Sequence, residues 1–321
     1  SLNNLHGNIQ QLDLKRHACL LTFGHNPRST VYHADHISGI IKLLEEEALP
    51  ISIGEIWYNG YRHIQSVVKV SANGEHFVHD NICKAVQLAE SKKISARQGC
   101  TLSTLIARKG IPWNVPLSGA TIKGLYSFSF GKATIHILSP NSDDISNVES
   151  FWKKKLIIDG LLSKAHSEEF WDDAFEYSLS KDKPGFHYHE RNVSKSYDLI
   201  KMMEEIYEPD DSATNGSSIA FVLEVDEKRV LFLGDAHAET IVDSLMELYG
   251  KENAPFWFDA VKLSHHGSYN NNSPELLKLI RCNNWLISTN GDKYNHPDLP
   301  TLAHIIANGN NHEPRLYFNY N

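Results

Sequence analysis

From residue 218 onward the chain alternates short apolar runs with turns and helical stretches. This rhythm constrains the fold more than any other feature. Residues 218–225 and 229–233 read as strands around an Asp226-Glu227-Lys228 hairpin turn, and 260–264, 285–289 and 316–319 read as further strands. Helical stretches are predicted over about 238–250, 274–280 and 299–308. Hairpins mixed with strand–helix–strand units predict an α/β protein whose sheets are covered by helices.

The upstream half is less regular. Residues 18–23 predict a buried strand, Gly24-His25-Asn26-Pro27 a turn, and 29–32 a returning strand. Apolar residues at 37, 40, 41, 43 and 44 predict a helix over 37–48. A strand is expected at 51–58, closed by an Asn59-Gly60 turn, with helices at 78–91 and 101–109 and a strand at 134–138. Residues 143–212 are richer in charge and aromatics, with helical periodicity near 148–162, 167–179 and 194–207. They are expected to form a helical insertion within a single domain spanning 1–321, with Trp152, Trp171 and Phe175 in its core.

Composition narrows the function. A net charge of −8 argues against a broad nucleic-acid footprint, although a local basic strip beside a metal can still hold phosphate. No apolar run is long enough to span a bilayer, and no basic start followed by an apolar stretch marks a secretory leader. Cysteines at 19, 83, 100 and 282 lack paired spacing, as expected of reduced thiols in a cytoplasmic protein.

The chemistry sits where apolar runs stop. Gly234-Asp235 follows one, His265-His266-Gly267-Ser268 follows another, and His33-Ala34-Asp35-His36 follows the predicted strand at 29–32. Histidine and carboxylate are the ligands that borderline divalent metals take. On a tight loop, Asp35 and His36 would both point into one cavity. Each segment alone has a plainer reading, since Asp after a strand often caps a helix and His-His-Gly can be an ordinary loop. Their joint occurrence at strand ends favours a convergent metal site. Arg62, after the Asn59-Gly60 turn, is placed to reach a phosphate or to lie solvated on the surface. His187-Tyr188-His189 has ligand spacing but reads more simply as a surface loop, and His237 is expected at a cleft rim.

Taken together, these segments resemble the metallo-β-lactamase superfamily, in the branch of the competence-type DNA-uptake nuclease domains and their soluble bacterial relatives. His33-Ala34-Asp35-His36-Ile37-Ser38-Gly39 is similar to the family's His-x-His-Ala-Asp-His-x-x-Gly motif. Leu231-Phe232-Leu233-Gly234-Asp235-Ala236 resembles its bridging-aspartate motif, and Lys262-Leu263-Ser264-His265-His266-Gly267-Ser268 its late histidine motif. Ile287-Ser288-Thr289-Asn290-Gly291 with His296-Pro297 resembles the closing motif, and Asn215-Gly216-Ser217-Ser218 an Asn and Ser pair before a strand. The likeness covers 16–48 and 213–320 and is thin over 143–212.

The resemblance implies a four-layer αβ/βα sandwich with metal at one edge. It implies one or two divalent ions, zinc or manganese. His33 would serve the first, Asp35, His36 and His265 the second, and Asp235 would bridge. Asp35, His266 and His296 would act catalytically, Asp35 orienting the attacking hydroxide. Asn215, Ser217, Ser268 and Arg62 would bind substrate. The implied activity is a metal-dependent hydrolase, a phosphodiesterase or nuclease acting on DNA or RNA, with protein partners from a multi-gene bacterial defence system and no membrane. The alternatives are a hydrolase of another ester or thioester, and a non-catalytic interaction protein with a degraded metal site.

One departure stands out. The family's first histidine falls on Val31, which cannot bind metal. The Asp-Gly-Gly, helix and strand expected ahead of the motif are also missing, so Tyr32 runs straight into His33. Either a stretch between Tyr32 and His33 is omitted from this sequence, or the first metal site is degraded.

Overall fold

The computed structural model describes residues 34–49, 51–64, 102–158, 198–289, 295–309 and 313–319. The elements expected at 18–23, 29–32, 78–91 and 167–179 lie outside the described residues, as do His33, the Tyr32–His33 junction, Trp171, Phe175 and the 187–189 loop. The chain divides into two compact units, one of Ser1–Ile122 with Ser146–Asp182, the other of Lys123–Ile145 with Lys183–Asn321.

In the first unit, helix α1 (Ala34–Glu45) precedes a short turn of helix, α2 (Tyr61–Ile64), and helix α3 (Leu102–Lys109). Leu44 of α1 packs with Leu102, Leu105 and Ile106 of α3 and with Ile56, and Ile40 and Ile41 close over them. Lys109 Nζ donates to the Glu46 carbonyl, one of the acceptors left over where α1 ends. Two expectations fail here. Helix α1 starts at Ala34, so Asp35 and His36 occupy its first turn rather than a tight loop. Successive helical positions are ~100° apart around the axis, so the backbone does not supply the geometry assumed for the pair.

The strand expected at 51–58 is absent too; Ile56 makes an isolated bridge to Trp113. Side chains replace the ladder. Asn114 accepts from the Tyr58 N–H at 3.0 Å and donates to the Tyr58 carbonyl, and the Trp113 indole donates to that carbonyl at 2.7 Å. Ile56 in turn donates to the Pro112 carbonyl and accepts from Asn114 N–H, so these two residues find backbone partners without a regular ladder.

The second unit holds a seven-stranded sheet in the order β1-β2-β3-β4-β6-β8-β9. Its strands are β1 (Tyr126–Phe130), β2 (Ala133–Ser139), β3 (Ala220–Val225), β4 (Lys228–Phe232), β6 (Ala260–Lys262), β8 (Asn284–Ile287) and β9 (Arg315–Phe318). The first four run antiparallel. From β4 on, every pairing is parallel. A second sheet pairs β5 (Phe256–Phe258) with β7 (Ile280–Cys282) in parallel.

Helix α4 (Ser142–Ile158) follows β2, and the shorter α5 (Leu199–Met203) and α6 (Ala213–Gly216) precede β3. Helix α7 (Ala238–Tyr249) carries the chain from β4 towards β5 and β6, α8 (Pro274–Leu279) precedes β7, and α9 (Leu299–Ala307) precedes β9.

The core follows the strand pattern. Leu231, Leu233, Val261 and Leu263 from the sheet meet Ile241 and Leu245 of α7 and Leu276 of α8, all fully buried. Each such side chain contributes about 1.5–3 kcal/mol on removal from water. The expected hairpin is real. Asp226 and Glu227 both take the left-handed conformation that a two-residue turn between twisted strands requires. The protein is thus mixed α/β. Among the described residues no helix is long and apolar enough to cross a membrane. Cys282 is a free, buried thiol pushed up to about 12, chiefly by burial.

Candidate functional site

Three neighbouring parallel strands, β4, β6 and β8, end on the same edge of the large sheet. Gly234-Asp235 follows β4, Ser264-His265-His266 follows β6, and Ser288 follows β8. Backbone bonds continue past the strand ends: Leu233 N–H to Lys262 O, Leu263 N–H to Leu286 O, and His265 N–H to Gly234 O at 2.9 Å. The edge is where an open α/β sheet collects chemistry, because side chains leaving adjacent parallel strands emerge together.

The loop after β6 has an unusual backbone. His265 (φ 41°), His266 (φ 58°) and Gly267 (φ 91°) are all left-handed. For a residue with a side chain this costs of order 1–3 kcal/mol, so surrounding bonds must hold it. Buried Asn272 does so, accepting from Ser264 N–H and donating to the carbonyls of Ser264 and Ser268. On the other side the loop is clamped by residues 296–298. Asp298 N–H donates to Gly267 O, and Asp298 Oδ2 accepts from Tyr269 N–H at 2.8 Å. Gly267 has no room for a side chain, since a Cβ there would lie 2.6 Å from Pro297 Cβ.

This scaffold brings three histidines together. The His265 ring centroid is 5.5 Å from His296 and 5.9 Å from His266. Each ring has its Nδ1 on an oxygen: Asn271 Oδ1 for His265 at 2.8 Å, Ser288 O for His266, and Asp298 Oδ1 for His296 at 3.2 Å. A carbonyl can only accept, so His266 donates from Nδ1 and, when neutral, carries its lone pair on Nε2.

Beside them lies a cluster of buried amides around a half-buried carboxylate. Asp210 Oδ2 accepts from Asn215 Nδ2 at 2.6 Å and from Asn271 Nδ2 at 2.7 Å, while its Oδ1 accepts from Ser212 N–H. Asn271 Nδ2 also reaches the Asp235 carbonyl at 3.2 Å. Ser212 caps α6 by accepting from Asn215 N–H. Asn215 is 1 % exposed, and its Oδ1 has no hydrogen-bond partner among the described residues.

Of the expected site residues, Asp235, His265, His266, His296 and Asn215 meet at this edge or in the cluster bonded to it. Ser268 is buried in the same loop. The Ser217 hydroxyl is directed to the Thr214 carbonyl at 2.7 Å, within the last turn of α6. Arg62, in the first unit, lies over the Trp113 ring at 5.1 Å. His237 Nε2 bonds the Ser212 carbonyl, and its Nδ1 is 3.8 Å from the buried Asp144 carboxylate, so it braces α6.

Asp210, Asn271, Asn272 and Asp298 were missed. Asp210 fell inside the expected helical insertion, yet 204–212 is irregular chain folded onto the site. The run Asn270-Asn271-Asn272 just after the histidine motif was the available signal, since buried amides suit a tight polar loop.

Asp235, His265 and the unpartnered Asn215 oxygen are donors of the kind a divalent ion takes. Among the described residues no three His, Cys, Asp or Glu side chains form a group able to hold one. The side chains of Asp35 and His36, like His33, are not among the described ones.

No protein-family model and no curated protein matches the chain.

Proposed function

We propose that the protein is a metal-dependent hydrolase of phosphodiesters, with the four-layer αβ/βα architecture of the metallo-β-lactamase superfamily. The observation that carries this reading is the delivery of Asp235, His265, His266 and His296 to one edge of the large sheet, around a strained, amide-braced loop. Asp235 and His265 are the ligands this edge offers. A bound zinc or manganese ion supplies a water of lowered pKa and polarises the phosphoryl oxygen.

The protein's own groups do the rest. His266, anchored through Nδ1, offers Nε2 to take or return a proton at the leaving oxygen. His296 is held in place by Asp298, whose Oδ1 lies 3.2 Å from the ring Nδ1. Ser268 suits a phosphate as a neutral polar group, whereas Asn215, its amide nitrogen committed to Asp210, presents an oxygen that suits a cation instead. DNA or RNA is the substrate class, acted on with partners from a multi-gene bacterial system.

Elemental analysis of the purified protein is expected to find zinc or manganese. The metal-loaded protein is expected to cleave bis-p-nitrophenyl phosphate, and Asp235→Ala to abolish cleavage. If it cleaves neither that compound nor single- or double-stranded DNA, and Asp235→Ala changes nothing, the reading is wrong. Val31, standing where the family has its first histidine, favours the competing reading of a non-catalytic descendant. A protein that binds no metal yet keeps a defined partner would fit that alternative.

A further inference from the structure

We propose that Asp210 and Asn271 are positioning residues. They lock His265 in the tautomer with its proton on Nδ1, and they turn the Asn215 amide so that its oxygen is left unused. The purpose assigned to this arrangement rests on the metal reading above; the arrangement itself does not.

The argument starts at Asp210. An ionised carboxylate only accepts, so the atom of Asn271 that lies 2.7 Å from Asp210 Oδ2 must be the amide nitrogen. The same atom faces the Asp235 carbonyl, a second pure acceptor. Flipping this amide would set its oxygen against both, so its orientation is fixed chemically. The Asn271 oxygen is therefore the atom facing His265 Nδ1 at 2.8 Å, and a neutral imidazole must donate to it. The lone pair of His265 is thereby placed on Nε2. Histidine ligands commonly have their second nitrogen held in this way, and the bond sets which nitrogen can ligate.

The same carboxylate oxygen fixes Asn215. Its Nδ2 donates to Asp210 at 2.6 Å, so its carbonyl oxygen is the end turned elsewhere. That oxygen is buried and has no hydrogen-bond partner among the described residues. A buried amide oxygen without a donor is costly in a finished structure and is normally satisfied by water, a ligand or a cation. Asp210 thus sets two candidate ligand atoms at once, an imidazole nitrogen and an amide oxygen. Its other oxygen is held by Ser212 N–H, which ties it to the cap of the helix bearing Asn215.

The test is a tautomer measurement on metal-free protein. Protein labelled with 15N in its histidines is studied by long-range proton–nitrogen NMR, above the range where imidazoles titrate. The His265 signals are assigned by their loss in His265→Gln. Wild type is expected to show Nδ1 protonated and Nε2 bare. Asn271→Leu, of similar size but unable to accept, is expected to shift His265 towards the Nε2-protonated form. Asp210→Asn, which keeps the shape, is expected to shift it in the same direction by releasing the Asn271 amide. Circular dichroism checks that both variants fold.

Titration with manganese or zinc, followed by calorimetry, is expected to show affinity reduced roughly 10–100-fold in both variants. A wild-type His265 protonated on Nε2 would overturn the proposal. So would retention of the Nδ1 proton in both variants. A tautomer that shifts as expected in a wild-type protein that binds neither metal would support the positioning role and overturn the metal reading.

Discussion

The two ends of the large sheet are built from different chemistry. At the β3–β4 turn, charges pair with charges. Lys228 meets Asp259 at 2.9 Å, Arg229 meets Glu224 at 2.9 Å, and the Arg229 guanidinium covers the Tyr249 ring, whose hydroxyl donates to Glu224. These groups are largely at the surface, and the turn is a plain two-residue connection. At the other end, carboxylates take hydrogen bonds from neutral donors: two amides and a backbone N–H on Asp210, and Tyr269 N–H on Asp298. The backbone there is left-handed over three successive residues, His265 to Gly267, against two in the turn. Exposed ion pairs tolerate movement and are weak. A buried amide network fixes atoms, because every misplaced group loses its partner. The difference marks the end at which position matters.

The contrast is tested most strongly by glycine. Gly267→Ala forces a left-handed residue and drives a Cβ into Pro297, at a cost of about 2–5 kcal/mol in urea unfolding. At the opposite end, Gly131 in the β1–β2 turn is also left-handed, but a Cβ there meets nothing. Gly131→Ala should cost only about 1–2 kcal/mol. Equal costs would break the comparison.

Asn272→Ala is the next largest effect. It strands buried backbone groups of Ser264 and Ser268 and should lower stability by about 2 kcal/mol by the same assay. Lys228→Ala, which removes an exposed partner of Asp259, should cost at most about 1 kcal/mol, less in high salt.

A further effect is one of pH and extends the contrast to the first unit. Burial, with Arg62 alongside, lowers His63 to about 4, so it folds as a neutral ring accepting from Gly60 N–H. The unfolded chain then binds the extra proton. The stabilising contribution is full above the ordinary imidazole value near 6.5 and is lost as pH falls from there towards about 4. Thermal unfolding across that window should show a loss that His63→Gln reduces.

Much of the second unit was legible in the sequence. Period-two and apolar runs matched β2, β3, β4, β6, β8 and β9 to within a residue or two, because each pairs within the sheet and most bury at least one face. Strand β1 was missed although Tyr126-Ser127-Phe128-Ser129-Phe130 alternates before Gly131. Strands β5 and β7 were missed: each is three residues long, and β7 begins at Ile280, where the helical pattern of 274–280 ends. The strand expected at 51–58 failed for a reason no local pattern records: Asn114, distant in sequence, takes the place of a neighbouring strand.

The histidines of the site were visible as a motif. The atoms that aim them were not, because Asp210 precedes Asn271 by some sixty residues. Hydrogen bonding across such a span leaves no periodic trace.

The parallel pairing of β4, β6 and β8 has a kinetic consequence. Parallel neighbours cannot be joined by a tight turn, so each pairing waits for an intervening crossover to collapse. Contacts that must close long loops form slowly. The β1–β2 and β3–β4 hairpins can zip early, whereas the β2–β3 pairing must close the long connection from Ser139 to Ala220, and the edge carrying the histidines exists only once β8 has docked and the 296–298 segment has closed over Gly267. A refolding chain should therefore regain most of its strand signal before it regains any capacity to hold a ligand.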